Sequence, residues 1–219
     1  MKNFNYVNKE ETAPVREQME EIIRQVQDEV RDYFTFQYFI VGSAKRNMIT
    51  RDEKSNTGFD FDYNIQPNCD FNEYLPAEIK RILRLAFEKV GKKYGYTKCE
   101  DSTRVITIKQ YAYGLYGSNE IFHSCDFAIV RKLGKTVQYI HNDKSTGRYY
   151  WENQPKEFYK IDDKVRYIKR EKCWNDVIDE YINLKRNNMD NEKKSRSLYA
   201  EAVNNVYYHL KNRCGNRRV

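Results

Sequence analysis

The chain has 219 residues, of which 40% are hydrophobic and 15% aromatic, and this composition suits one or two domains with a sizeable core. Nothing in it approaches the roughly 20 consecutive apolar residues that a membrane span requires, and the first residues, MKNFNYVNKEE, lack the apolar segment of a signal peptide. The cysteines and histidines are widely separated, so neither a zinc site nor a disulfide framework is indicated. We therefore expect a cytoplasmic protein that has no membrane segment and keeps its thiols reduced.

The net charge of +7 is concentrated in the C-terminal third of the chain. Residues 143–219 contain 18 lysines and arginines against 12 acidic residues, whereas residues 1–142 contain 21 against 20. A basic surface of this kind suits a polyanionic partner such as RNA or a nucleotide, although an ordinary solvated surface carries a similar excess. Both interpretations stay open on charge alone.

Helical spacing of apolar residues predicts an amphipathic helix near the N-terminus. Thr12 and Pro14 suit its start, and the residues that repeat along one face are Val15, Met19, Ile22, Ile23, Val26, Val30 and Tyr33. The next stretch, FTFQYFIV, is typical of a strand and ends at Gly42 and Ser43. A polar, charged loop is predicted over residues 44–58.

The stretch FDFDYNI alternates between apolar and polar residues, which predicts a strand with one packed face and one open face. A second amphipathic helix is predicted from Leu75 onward, with Pro76 near its first turn and Gly91 and Gly95 around its end. Three more strands are predicted in TRVITIKQYAY, EIFHSCDFAIVRK and KTVQYIH, all in one sheet with the first two. From about Pro155 the pattern becomes helical, so we place a boundary near residue 150.

Asp60 and Asp62 stand on the same face of the predicted strand, because side chains two residues apart point the same way. Two carboxylates in that arrangement repel each other. A purely structural role would have to tolerate this repulsion without compensation, so we expect a cation between them.

The order of these elements resembles that of the nucleotidyltransferase superfamily of the DNA polymerase beta type. The resemblance covers roughly residues 10–140 and is carried by VGS at 41–43, FDFD at 59–62 and Asp126 in HSCDFAIV. The pair STRVITI and CDFAIV is similar to the strands that bring in a third carboxylate in the oligoadenylate-synthase-like and bacterial cyclic-nucleotide-synthase-like branches. The resemblance implies an α+β, mixed-sheet nucleotidyltransferase fold, with a catalytic domain over 1–150 and a basic helical region over 151–219.

The resemblance also implies a metal site. Asp60, Asp62 and Asp126 would converge as oxygen ligands for Mg²⁺ or Mn²⁺, hard cations that carboxylates suit. Two such ions about 3.5 to 4 Å apart can activate a hydroxyl and stabilise charge on the α-phosphate and the leaving pyrophosphate of a nucleoside triphosphate (NTP).

Further residues are implied to bind the triphosphate. Gly42 would let the backbone approach a phosphate, and Ser43 would donate to the β- or γ-phosphate. Arg104, at the start of a strand, either holds a phosphate or pairs with a neighbouring carboxylate. The segment 44–58 is longer and more charged than in the family's shorter members, and Lys45, Arg46 or Arg51 from this segment could reach the triphosphate.

The leading hypothesis is therefore an enzyme that transfers a nucleoside monophosphate from an NTP to an acceptor hydroxyl and releases pyrophosphate. The basic C-terminal region mildly favours RNA or a nucleotide as the acceptor. The alternative is a non-catalytic nucleotide- or RNA-binding regulator built on the same fold, and a metal-dependent release of pyrophosphate separates the two.

Overall fold

A computed structural model describes residues 2–96, 98–111, 120–154, 161–190 and 193–215, with the backbone alone at 98, 214 and 215. The chain divides into two compact units. The larger one comprises residues 7–51 and 55–154, and the smaller one comprises residues 1–6, 52–54 and 155–219. In the described ranges, no helix is both long and apolar enough to cross a membrane.

The described residues form strands and helices in an α+β order. In chain order these are β1 (Phe4–Tyr6), α1 (Lys9–Glu29), β2 (Thr35–Val41), α2 (Gly42–Lys45), β3 (Thr50–Asp52), β4 (Phe59–Asn68), α3 (Pro76–Lys93), β5 (Lys98–Asp101), β6 (Val105–Tyr111), β7 (Ile121–Leu133), β8 (Thr136–Asp143), β9 (Arg148–Asn153), α4 (Ile161–Arg170), α5 (Trp174–Asn187) and α6 (Ser195–Gly215).

The larger unit is built on a mixed sheet whose strand order is β2-β4-β7-β6-β5. Strands β4 and β7 are parallel, while β2 pairs with β4, and β6 with β7, in the antiparallel sense. The far end of β7 pairs with β8, which pairs in turn with β9. The one parallel pair at the centre brings the beginnings of β4 and β7 to the same edge of the sheet.

One face of this sheet is covered by a hydrophobic core to which α1 and α3 contribute. Met19 and Ile22 of α1 and Phe87 of α3 are fully buried with the inward-facing residues of β4 and β7, and the rings of Phe87 and Phe127 stack with centroids 3.9 Å apart. On β4 the buried residues are Phe59, Phe61, Tyr63 and Ile65. Because strand residues alternate between faces, this burial holds Asp60 and Asp62 on the opposite face.

The structure confirms the predicted strands β2, β4, β6, β7 and β8 and the helix that begins at Pro76. Helix α1 begins at Lys9 rather than at Thr12, because the Asn8 side chain caps it by accepting from the Glu11 N–H at 2.8 Å. The predicted loop 44–58 is wrong in part, since it contains β3 and the buried Met48 and Ile49. The local sequence patterns predict none of the strands β1, β3, β5 and β9.

The smaller unit contains α4, α5 and α6, and its helical character confirms the pattern predicted for the C-terminal part of the chain. The predicted helix start at 155–160 lies outside the described residues. The N-terminal strand β1 joins this unit, because the Tyr6 hydroxyl donates to the Ile178 carbonyl at 2.7 Å and Arg186 Nε donates to the Phe4 carbonyl at 2.8 Å. This unit is therefore not contiguous in sequence, whereas the predicted boundary near 150 separates two contiguous stretches.

Candidate active site

Three carboxylates lie on one face of the sheet, on the central parallel strands. Asp62 on β4 is the register partner of Asp126 on β7, and Asp60 is the partner of Ser124. Register partners on adjacent strands point to the same face, and adjacent strands are about 4.8 Å apart. The structure thus places on one face of the sheet the three carboxylates that the sequence singles out.

Two hydroxyl groups hold these carboxylates. Thr107 on β6 is the register partner of Asp126, and its Oγ1 donates to Asp126 Oδ1 at 2.6 Å. Ser124 donates from its Oγ to Asp60 Oδ1. The sequence analysis missed both hydroxyls, although Ser124 stands two residues before Asp126 and so had to share its face.

Burial and mutual repulsion disfavour the ionised forms of these carboxylates. Desolvation, followed by the charge of Asp60, raises the pKa of Asp62 to about 6. Desolvation also raises the pKa of Asp126 to about 6, with smaller contributions from the charges of Asp60 and Asp62, and the Thr107 hydrogen bond opposes the rise. A positively charged ligand would therefore stabilise the ionised carboxylates of the metal-free site.

Gly42 lies directly against Asp62 of β4. It follows β2, has a φ of +64°, and a Cβ atom added to it would lie 2.0 Å from Asp62 Oδ2. Both the left-handed backbone and the close approach require glycine here. Ser43 follows on α2, and its carbonyl accepts from the Met48 N–H at 2.9 Å, which fixes the turn that carries the Gly-Ser pair.

The structure distinguishes Arg46 from Lys45 and Arg51, the three cations that the sequence left as alternatives. Arg46 is near enough to Asp62 to lower the pKa of that carboxyl, and Lys109 on β6 has the same effect on Asp126. Arg51 instead forms an ion pair with Glu11, and Lys45 is exposed at the end of α2.

Arg104 lies away from the carboxylates. Its Nη2 is 3.4 Å from Glu152 Oε2, and its guanidinium carbon is 4.9 Å from the centre of the Tyr139 ring. It precedes Thr107 by three residues, which is about 10 Å along an extended strand. The structure therefore shows the carboxylate pairing that was the alternative to a phosphate contact.

The three carboxylates offer the kind of oxygen ligand that a divalent cation needs. As the side chains stand, no three His, Cys, Asp or Glu residues within the described ranges form a ready metal-binding cluster. The chemistry of the site nevertheless fits Mg²⁺ or Mn²⁺, because oxygen donors from two adjacent strands share one face and raise the pKa of one another. Asp60, Asp62 and Asp126 are the residues that would hold the metal.

Comparison with known proteins gives a fold but no close relative. No protein-family model matches the chain, and no curated protein matches it. Among solved structures, it is similar to Vibrio cholerae DncV in its GTP-bound form, with a TM-score of 0.55 and 16% identity over 91% of this chain and 52% of that one. The chain has the nucleotidyltransferase fold.

Two further solved structures agree. The Bradyrhizobium diazoefficiens CD-NTase CdnG in complex with GTP gives a TM-score of 0.51 and 18% identity over 71% of this chain and 42% of that one. The Vibrio cholerae DncV cyclic AMP-GMP synthase with the linear intermediate pppA(3′,5′)pG gives 0.55 and 15% identity over 91% and 54%. The chain thus spans about half the length of these structures, and the predicted nucleotidyltransferase resemblance and fold class are confirmed.

Proposed function

We propose that this protein transfers a nucleoside monophosphate from an NTP to an acceptor hydroxyl and releases pyrophosphate, with Mg²⁺ or Mn²⁺ bound by Asp60, Asp62 and Asp126. The observation that carries the proposal is the register pairing of Asp62 with Asp126, beside Asp60 and against Gly42. A fold has no structural need for two half-buried carboxylates and an exposed third one that repel each other on one face of a sheet.

The chain's own residues divide the work in this proposal. Gly42 leaves room for a phosphate next to Asp62, and Ser43 donates to that phosphate. Thr107 and Ser124 orient the carboxylates through the hydrogen bonds described above. Arg46 adds positive charge near Asp62, where the triphosphate would bring negative charge. Bound divalent ions would supply the charge that activates the attacking hydroxyl and stabilises the leaving pyrophosphate.

A nucleotide or nucleic acid is the favoured acceptor. One DncV structure contains a linear intermediate in which one nucleotide is joined to the 3′ hydroxyl of another. CdnG and DncV are both known in complex with GTP. The excess of positive charge in residues 143–219 also suits an anionic acceptor.

A second candidate function is a regulator that binds a nucleotide or RNA without catalysis. It is favoured by the finding that, among the described residues, no three His, Cys, Asp or Glu side chains are already grouped as metal ligands. This regulator would bind NTP but release no pyrophosphate.

The test is incubation of the protein with each NTP labelled at the α-phosphate, in the presence of Mg²⁺ or Mn²⁺, with nucleotides and RNA as acceptors. We expect pyrophosphate release and transfer of the label, both lost in Asp62→Asn and kept in Asp32→Asn, a matched change at an exposed position. Binding of NTP without pyrophosphate release under every condition would instead support the regulator.

A further inference from the structure

A surface of alternating cations and tyrosines lies between α4 and α6 in the smaller unit. We call it the basic-aromatic surface, and it consists of Lys164, Tyr167, Arg170, Tyr207, Tyr208 and Lys211. An open groove of about 530 Å³ lies beside it, and its lining comprises Asp163, Lys164, Arg166, Tyr167, Arg170 and Tyr207. Three-residue steps on α4 and three- to four-residue steps on α6 place these side chains on the facing sides of the two helices.

The cations of this surface lie over the tyrosine rings. Lys164 Nζ is 4.6 Å from the centre of the Tyr208 ring and 5.2 Å from that of Tyr207. Lys211 Nζ is 4.4 Å from the centre of the Tyr167 ring, and the Arg170 guanidinium carbon is 5.0 Å from it. The rings of Tyr167 and Tyr207 meet edge to face at 5.3 Å, so cations and rings form one continuous layer.

The positive charge of this layer is cancelled locally only in part. Lys164 donates to the neutral Asn204 side chain at 2.6 Å, whereas Arg170 pairs with Glu171 at 3.3 Å. Over the described part of the chain, no carboxylate lies within 4.0 Å of the ammonium groups of Lys164 or Lys211. Asp163, which also lines the groove, pairs with Arg166. The basic-aromatic surface therefore offers two uncompensated charges, Lys164 and Lys211, next to aromatic rings.

The exposure of this surface argues against a purely structural role. The Tyr208 side chain is 56% exposed, and the core of the helices is formed by other residues, among them Ile168, Val203 and Leu210. One exposed and two half-buried aromatic rings beside uncompensated cations match the two parts of a nucleotide chain, because phosphates pair with cations and bases stack on rings.

We propose that the basic-aromatic surface binds single-stranded nucleic acid. A cation over an exposed ring is held more weakly than a cation hydrogen-bonded to a phosphate. An arriving phosphate therefore draws Lys164 and Lys211 away from the rings and frees the ring faces for bases. The proposal concerns the smaller unit alone and is independent of nucleotidyl transfer.

The test measures binding of a fluorescent single-stranded RNA of about 12 nucleotides, a length within the range that such surfaces cover. The full chain is used with EDTA and without NTP, so that the proposed metal site makes no contribution. Fluorescence anisotropy is recorded over a range of salt concentrations. We expect binding that weakens as salt rises, with a slope set by the number of phosphates contacted.

Two variants separate the charges from the rings. Lys164→Gln with Lys211→Gln should weaken binding about tenfold or more and reduce the slope of log affinity against log salt by about 1.4, since each phosphate contact contributes about 0.7 for a single strand. Tyr208→Leu should weaken binding about fivefold or more at every salt concentration, because it removes a stacking face and no charge. Tyr208 is largely exposed, so this variant keeps the fold, which circular dichroism verifies.

The matched control is Lys132→Gln with Lys135→Gln, which removes the same charge from two exposed lysines at the β7–β8 turn. It should change binding less than twofold. Equal weakening by the control and the Lys164/Lys211 pair would overturn the proposal, because binding would then follow net charge alone. Unchanged binding in Tyr208→Leu, with inorganic polyphosphate competing as well as the RNA, would overturn it too.

Discussion

Asp62 on β4 and Asp126 on β7 are direct partners in the parallel ladder, and burial raises the pKa of each from 3.8 to about 6. Above about pH 6 both are ionised, and their repulsion opposes folding of the metal-free protein. Because the fold does not require this unfavourable repulsion, we infer that a bound ligand relieves it.

Asp62→Asn tests whether the carboxylates serve a ligand or the fold. In EDTA at about pH 8, the free energy of unfolding should stay level or rise by about 1 kcal/mol, because one of two repelling charges is removed. Nucleotidyl transfer should fall by about a hundredfold or more, since a charge that stabilises the reacting phosphates is lost. Urea denaturation and pyrophosphate release measure the two effects. A destabilised variant that retained transfer would make the pair a structural feature.

Gly42→Ala separates backbone strain from contact with the site. Gly42 and Gly134 both have a left-handed φ, of +64° and +59°, but an added Cβ meets Asp62 only at Gly42 and finds nothing within 4 Å at Gly134. Both alanine variants should therefore lose about 1 to 2 kcal/mol of stability from the backbone alone. Rotation of Asp62 can move its carboxylate but not its Cβ, which would lie 3.1 Å from the new methyl group. Gly42→Ala should therefore lose more stability than Gly134→Ala and should also weaken binding.

Isothermal calorimetry with Mg²⁺ and NTP, combined with urea denaturation, measures these two effects. We expect Gly134→Ala to bind as the parent does and Gly42→Ala to bind about tenfold more weakly, a difference of about 1.4 kcal/mol. Equal binding by both variants would show that the close approach of Gly42 to Asp62 has no part in the site.

The sequence predicts the part of the site that depends on local alternation. In FDFDYNI the buried aromatic residues dictate where Asp60 and Asp62 point, and the structure agrees. The partners of these carboxylates come from other strands. Thr107 reaches Asp126 only because β6 pairs with β7 in one particular register, and no local pattern in the sequence specifies a register between strands.

Long-range pairing also explains what the sequence analysis missed elsewhere. The sequence leaves two roles open for Arg104, and it does not identify Glu152, which is 48 residues away on β9, as the partner. Met48 and Ile49 are buried within a segment whose charged residues predict a loop. In each case the tertiary environment, rather than the local pattern, determines the structure.

Thr107→Val tests whether the buried hydroxyl positions Asp126. Valine has nearly the same shape but cannot donate, so the pKa of Asp126 should rise further above about 6. Mn²⁺ binding at about pH 7 should weaken about tenfold, as is usual when a hydrogen bond to a metal ligand is lost. Thr107→Ser keeps the donor and should restore the affinity, measured by the electron paramagnetic resonance signal of free Mn²⁺. If both variants bound Mn²⁺ equally, the hydroxyl would have only a packing role.

Lys80 and Asp101 form an ion pair whose two ends differ in exposure. Lys80 Nζ is 2.7 Å from Asp101 Oδ1, and the side chains are 2% and 23% exposed. Asp101 Oδ2 also accepts from the Tyr149 hydroxyl at 2.5 Å and from Asn142 Nδ2 at 3.2 Å. Asp101→Asn should therefore cost about 3 kcal/mol, because it removes the opposite charge from the buried Lys80 ammonium and leaves it the neutral Ser102 carbonyl at 2.6 Å. Lys80→Met should cost less, since Asp101 keeps two donors and some water. Urea denaturation at neutral pH measures the two losses of stability. A larger loss in Lys80→Met than in Asp101→Asn would contradict this prediction.

His123 makes the stability of the larger unit sensitive to acid. The ring is 1% exposed, its Nε2 is 2.6 Å from the Tyr96 hydroxyl, and burial lowers its pKa to about 4. Between about pH 6.5 and 4 the unfolded chain binds a proton that the folded state does not, so this residue contributes stability that is lost as the pH falls. The loss amounts to about 3 kcal/mol over that window.

His123→Gln removes this titration while keeping a polar group near Tyr96. Asp62 and Asp126 titrate in an overlapping window with the opposite sign, because their folded pKa is raised and they favour folding as the pH falls from about 6 to 4. The informative quantity is therefore the difference in the free energy of unfolding between variant and parent at each pH.

In urea denaturation with EDTA, the free energy of unfolding of His123→Gln should rise relative to that of the parent by up to about 3 kcal/mol as the pH falls from about 6.5 to 4. His209→Gln, at an exposed position, should follow the parent throughout. Parallel curves for His123→Gln and the parent would show that His123 takes up its proton in the folded protein as readily as in the unfolded chain.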